Sequence, residues 1–140
     1  MKKRVTGLGG IFFKSKDPKA SKEWYKKHLG IDNGQYGGTF EWRHAENPKK
    51  KGFTAWSVFD QKTKYTDPST KDFMINYRVE NLEELLKTLK KEGVKMIGEM
   101  EVFEYGKFGW IMDPNGIKIE LWEPNDEEYD KIKGETNLSS

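Results

Sequence analysis

Cysteine is absent from the 140-residue chain. That absence removes disulfides, thiolate nucleophiles and thiolate metal sites together, and it suits a reducing cytoplasm. Long apolar runs are missing as well. No stretch approaches the roughly 20 residues of a membrane span, and the basic start "MKKRVTGLGG" has no apolar segment behind it of the kind a signal peptide carries. An excess of one charge is also lacking. At a formal net charge of +2 no global field recruits nucleic acid or acidic membrane, and the short run "NPKKKG" at 47–52 reads as a solvated loop. These absences point to a soluble, cytoplasmic protein with neither nucleic acid nor membrane as partner.

What the chain does have is aromatic and charged in equal earnest. Charged residues make up 34% and hydrophobic residues 34%, a balance that would permit disorder, but eight Phe, six Tyr and five Trp are spread along it. So many large apolar groups argue for one packed domain.

The order of elements repeats. "VTGLGGIFFKS" (5–15) reads as a strand, and "DPKASKEWYKKHLG" (17–30) as a helix with Asp17 as N-cap, Pro18 in the first turn and Gly30 as the stop. Its apolar stripe is Ala20, Trp24, Tyr25, His28 and Leu29. Strands follow at 38–44 and 52–59, joined by the polar loop "AENPKKK". The aperiodic segment 60–72 reads as a linker. Then come a strand at 73–79, a helix at 81–93 capped by Asn81 and stopped by Gly93, and strands within 94–106, 107–113 and 116–123. The turn "DPNG" separates the last two. Laying Gly10 over Met74 matches Ile11 with Ile75 and Asp17 with Asn81, and both halves run strand, helix, then strands. Module one covers about 5–59 and module two 73–124. A polar tail, 125–140, has one weak helical turn and is expected to fray beyond Gly134.

The two motifs "FFKSKDPKASKEWYKKHLGI" (12–31) and "IMDPNGIKIELWEP" (111–124), at this order and spacing, resemble the glyoxalase/bleomycin-resistance/dioxygenase superfamily, the vicinal-oxygen-chelate group. The resemblance covers roughly 5–124. It implies an α+β fold of two βαβββ modules forming an open-barrel cavity, with helices outside, and it implies a homodimer. The strand alternates then take on meaning. Ile11, Phe13, Ile75, Tyr77, Val79, Ile117, Ile119 and Leu121 would pack beneath helices. Gly10, Phe12, Lys14, Met74, Asn76, Arg78, Lys118, Glu120 and Trp122 would face the cavity.

Metal-dependent relatives hold a divalent ion with four strand residues of His, Gln or Glu type. On this sequence those positions fall on Gly10, near Trp56 or Ser57, on Met74, and on Glu120. Only Glu120 is a ligand, so no metal residues and no cofactor are assigned. A Zn, Ni, Fe or Mn ion remains the disfavoured alternative. His28 reads as a surface or packing residue. Glu41 and His44 could reach a cavity mouth, which the sequence leaves open.

Three functions remain. The first is a ligand-binding protein holding a small organic molecule among Phe12, Trp56, Met74, Asn76, Arg78, Trp110, Lys118 and Trp122, without the family metal. The second is a glyoxalase-like lyase or isomerase with Glu120 as the catalytic general base and Arg78 or Lys118 stabilising an oxyanion. The third is a non-catalytic interaction domain. Against all three stands the plainer reading that the aromatics only fill the barrel and that Arg78 and Glu120 neutralise each other.

Overall fold

The computed structural model describes residues 3–31, 34 and 37–132. The expected fraying beyond Gly134 lies outside them. Strand β1 (Val5–Ser15) leads to helix α1 (Pro18–Leu29), β2 (Gly38–His44) and β3 (Asn47–Asp60). Strand β4 (Phe73–Val79) then opens the second half, followed by α2 (Leu82–Lys91), the short β5 (Lys95–Met96) and β6 (Glu101–Phe103), β7 (Gly106–Met112), β8 (Lys118–Pro124) and a last helix, α3 (Asp126–Ile132). The α+β class and the doubled order of elements are as the sequence implies.

The helix boundaries follow from side-chain chemistry. Asp17 Oδ1 accepts from Ala20 N at 3.1 Å, and Pro18 stands where its missing N–H costs nothing. Gly30 takes the left-handed conformation at φ 69° that ends α1. Asn81 Oδ1 accepts from Glu84 N at 3.3 Å at the start of α2. In the last turn, Asp113 Oδ1 accepts from Asn115 N and Ile117 N, both at 2.8 Å, which fixes the reversal into β8.

The eight strands of the described residues form one sheet in the order β2-β3-β1-β4-β8-β7-β5, with β6 beside β7. The two modules meet along the antiparallel pair β1 and β4. One side chain shows how strongly the sheet curls. Tyr129 of α3 bonds Thr39 of β2 and packs on Trp122 of β8 at 5.3 Å. Those strands are four places apart in the sheet, about 19 Å if it were flat. The sheet must therefore wrap into an open barrel around α3.

The convex side carries the main apolar core. Val79, Leu82, Ile111 and Leu121 are buried together, with Tyr77, Leu86, Leu89 and Ile119 packed on them beneath α2. Three expectations need correction. The segment 47–51, read as loop, is the first part of β3 and pairs with β2 through Arg43–Lys51 and His44–Asn47. Lysines there mark an exposed strand, which tolerates long solvated side chains as a loop does. The α1 stripe is mostly exposed, with Trp24 at 52% and Leu29 at 60%; Tyr25 is the residue that packs, against Phe13 and Trp56. The weak turn after Pro124 is the docked helix α3.

Candidate functional site

Registers across four neighbouring strands put Gly10, Asn76, Glu120 and Trp110 in one row, from β1 through β4 and β8 to β7. This row lies on the face opposite α2, because its alternates Ile119 and Leu121 belong to the helix-side core. Asn76, Trp110 and Glu120 are all buried.

Three donors converge on Glu120. Asn76 Nδ2 donates to Oε1 at 2.7 Å, and Trp110 Nε1 donates to Oε2 at 2.9 Å. The third donor is the Tyr65 hydroxyl, in a short hydrogen bond to Oε2. Lys118 completes the group. Its Nζ donates to the Tyr65 carbonyl at 2.6 Å and lies 5.3 Å from the Tyr65 ring centre and 5.7 Å from that of Trp110. Burial pushes the Tyr65 phenol far above its usual range, helped by the charge and hydrogen bond of Glu120. Desolvation lowers Lys118, with Glu120 acting in the opposite sense.

Tyr65 was missed in the sequence. It comes from the 60–72 segment, which is folded rather than slack. Lys14 N donates to Asp72 O at 2.7 Å and Gln61 N to Ser15 O at 2.9 Å, so both ends are held by β1. Thr66 and Ser69 are buried. The only sequence signal was an aromatic amid polar turn residues. Phe59 continues the aromatic wall, stacked on Phe12 at 5.3 Å and edge-on to Tyr65 at 5.8 Å.

The remaining expected residues divide. Phe12 and Met74 face each other across β1 and β4 beside the row. Trp56 is not brought to Glu120; its ring meets Phe13 and Tyr25 on the α1 side. Apolar residues occupy both parities of "GFTAWSVF", so alternation could not choose the face. Arg78 does not pair with Glu120. Its Nη2 bonds Asp126 Oδ2 at 2.7 Å, and its guanidinium lies 5.2 Å from Trp42 and 5.3 Å from Trp122. Trp122 also stacks on Phe108 and packs on Tyr129. Glu41 is exposed near Lys51 and Arg43. His44 borders an open cleft of about 630 Å³ that Arg78 and Asp126 also line.

The four family metal positions do not make a ligand set here. Gly10 has no side chain, Met74 is a thioether, and Ser57, beside Phe12 in the β1–β3 register, is a hydroxyl. Glu120 is left, with both oxygens already accepting from Asn76, Trp110 and Tyr65. Among the described residues no group of three or more His, Cys, Asp or Glu side chains could hold a metal ion. No helix of the described residues is long and apolar enough to cross a membrane.

Residues 8–121 match the Glyoxalase/Bleomycin resistance protein/Dioxygenase superfamily, and the chain belongs to that superfamily. Among solved structures it is similar to methylmalonyl-CoA epimerase from Mycobacterium tuberculosis, at 23% identity and TM-score 0.61, covering 93% of this chain and 95% of that one. A Streptomyces coelicolor methylmalonyl-CoA epimerase in complex with 2-nitronate-propionyl-CoA gives 13% identity and TM-score 0.63, over 86% and 99% of the two chains. A hypothetical protein from Bacillus halodurans C-125 gives 15% and 0.58, over 84% and 94%. At these identities the likeness is one of fold. A search of curated proteins gave no match.

Proposed function

We propose that this protein binds a small organic ligand at the Glu120 end of the barrel interior and does so without the family metal. The observation that carries the reading is the Tyr65–Glu120 hydrogen bond. A buried carboxylate stands at a metal-ligand position, and a phenol from the intermodule segment occupies it. A ligand with an aromatic ring and a hydroxyl can take the place of that phenol. Trp110 and Asn76 would keep their bonds to Glu120, and Phe12, Phe59 and Met74 would supply the apolar wall. The ammonium of Lys118 would face the incoming ring, as it now faces Tyr65.

The test is tryptophan fluorescence against a panel of phenols and other aromatic metabolites. Saturable quenching is expected, with Tyr65→Phe binding phenols several-fold more tightly, because the competing donor is gone. If no probe saturates, or Tyr65→Phe weakens binding, the reading fails. Stoichiometric Zn, Ni, Fe or Mn in protein purified without chelator would overturn its metal-free part.

A lyase or isomerase using Glu120 as general base is the second reading. The fold likeness to epimerases supports it and makes an acyl-CoA thioester a natural additional probe. It requires Tyr65 to leave Oε2 so that one carboxylate oxygen can reach a carbon-bound proton. Proton exchange into a thioester, lost in Glu120→Gln, would support it. The same proposal carries a cytoplasmic homodimer, for which the exposed Val102 and Phe103 of the edge-region strand β6 offer apolar surface. A monomeric mass in solution would remove the dimer.

A further inference from the structure

Arg78 is the most deeply buried cation among the described residues, at 1% exposure, and its ion pair is only half made. Asp126 Oδ2 takes Nη2 at 2.7 Å, while Arg78 Nε and Asp126 Oδ1 have no hydrogen-bond partner among the described residues. A carboxylate set side-on would take Nε and Nη2 together, the bidentate geometry that a guanidinium favours. Asp126, at the start of α3, makes only one of those two bonds.

The surroundings of Arg78 belong to the barrel, whereas its counter-ion belongs to the terminal helix. Trp42 and Trp122 lie on the guanidinium at 5.2 and 5.3 Å. Gly7 and Gly52 make room for Trp42: a Cβ at Gly7 would come within 2.8 Å of the indole, and one at Gly52 would overlap it. Phe53 O accepts from Nη1 at 3.4 Å. The two indoles and the carbonyl come from the sheet, so these contacts are made independently of α3. Beside it opens the cleft of about 630 Å³, a volume ordinary for a small-molecule site. His44 lines that cleft, and its Nε2 is also buried without a hydrogen-bond partner among the described residues.

We infer that Arg78 is the receptor for a monoanionic organic carboxylate, for which Asp126 of α3 stands in when no ligand is bound. The ligand displaces Asp126 toward solvent, pairs side-on with Nε and Nη2, and rests its apolar part in the cleft against Val79 and Pro124. A hydroxyl or amide on the ligand meets His44 Nε2. Glu46, Glu80 and Glu123 also line the cleft, against Lys3 and Lys50; Lys3 is 3.9 Å from Glu46. With Arg78 counted and Asp126 displaced, three acids stand against three cations, so no excess of positive charge favours polyanions such as polyphosphates over a monoanion. Arg78 pairs with Asp126, and Asn76, two residues earlier on β4, pairs with Glu120, so this site and the Glu120 site can fail separately.

The full chain is titrated with sodium benzoate, benzamide and inorganic pyrophosphate by calorimetry, and the Arg78 Nε–H and Trp110 indole N–H resonances are followed by NMR. Benzoate is expected to bind with one-to-one stoichiometry and to shift Arg78 Nε–H, and benzamide to bind at least about tenfold more weakly, because a charge-assisted pair becomes a neutral one. Asp126→Asn weakens the internal competitor and tightens benzoate about fivefold. Arg78→Gln abolishes binding if it folds; the gain in Asp126→Asn does not depend on that variant. Equal binding of benzamide, tighter binding of pyrophosphate, no gain in Asp126→Asn, or no saturable benzoate binding would each overturn the assignment. A benzoate shift at Trp110 without one at Arg78 would overturn it too, while leaving the Glu120 reading intact.

Discussion

Tyr65, in the segment joining the two modules, donates its phenolic proton to Glu120 on β8, 55 residues away in the chain. The bond ties the intermodule segment to the centre of the second module. Removing the hydroxyl in Tyr65→Phe leaves the ring contacts with Phe59 and Trp110 but takes one donor from a buried carboxylate. A loss of about 1.5 kcal/mol in unfolding free energy is expected, as for a hydrogen bond to a charged group. Urea unfolding checks it, and an unchanged midpoint would mean that the phenol contributes nothing to holding the segment down.

The same tyrosine governs behaviour in alkali. The folded state keeps Tyr65 neutral far above the ordinary phenol value of 10.0, chiefly through burial and then through Glu120. Tyr105 is raised as well, again mainly by burial. The unfolded chain ionises these groups near 10.0 and so holds fewer protons than the folded one above that pH. Stability is therefore complete below pH 10 and falls as pH rises beyond it. A near-ultraviolet titration should show Tyr65 ionising only as the protein unfolds, and Tyr105 ionising above the ordinary phenol range. In Tyr65→Phe the alkaline fall should be shallower.

His44 gives the opposite limb. Burial lowers its pKa below 6.5, and Lys50 and Arg78 lower it further against the weaker pull of Asp126 and Glu46. The unfolded state thus takes up a proton near pH 6.5 that the folded state refuses. Stability from this group is present above pH 6.5 and is lost as pH falls through the lower folded value. His44→Gln should flatten the stability profile on that acid limb, and the His44 ring resonance should titrate below 6.5. Titration at or above 6.5 would show that the imidazole is not held neutral beside Arg78.

Gly9 sits where the glyoxalase-type strand β1 passes over two buried polar side chains. A Cβ there would overlap Asn76 Oδ1 and lie 3.0 Å from Asn76 Cγ and 3.1 Å from Arg78 Cγ. Neither neighbour can retreat without breaking a bond, to Glu120 in one case and Asp126 in the other. Gly9→Ala should cost about 2 kcal/mol, the range for overpacking a filled interior. It should also shift the Trp110 indole resonance through Glu120. A stability change of less than about 0.5 kcal/mol would show that the interior has slack.

How much of this was legible depended on period and on distance along the chain. Alternation in "IKIEL" put Ile119 and Leu121 under α2 and Lys118, Glu120 and Trp122 on the other face, because a strand's side chains alternate with a period of two. The same rule failed for Trp56, whose strand is apolar on both parities, and for 47–51, where lysines hide a strand as a loop. Period says which way a residue faces, not what it meets. Tyr65 and Asp126 lie in aperiodic segments, and they reach Glu120 and Arg78 only because the curled sheet brings those segments together. Arg78 and Glu120 share a face on adjacent strands, so pairing them was reasonable from register alone. The tail helix supplied a partner for Arg78 that no local pattern announces.

That helix provides the last test. Tyr129 packs on Phe53 at 5.2 Å and on Trp122 at 5.3 Å, and its hydroxyl lies 2.9 Å from Thr39 Oγ1. Tyr129→Ala removes all three contacts, a change that costs about 3 kcal/mol when an aromatic leaves a packed site. Because α3 docks through side chains and belongs to no strand ladder, it can undock locally, so the loss should fall on α3 before the sheet unfolds. Amide exchange should then accelerate in α3 and at β2 and β3 while the α2 face stays protected. Undocking also withdraws Asp126 from Arg78, so Tyr129→Ala should bind benzoate more tightly than the parent protein, as Asp126→Asn does. Equal acceleration of exchange across the whole sheet would mean instead that α3 is an integral part of the barrel and not a detachable occupant of it.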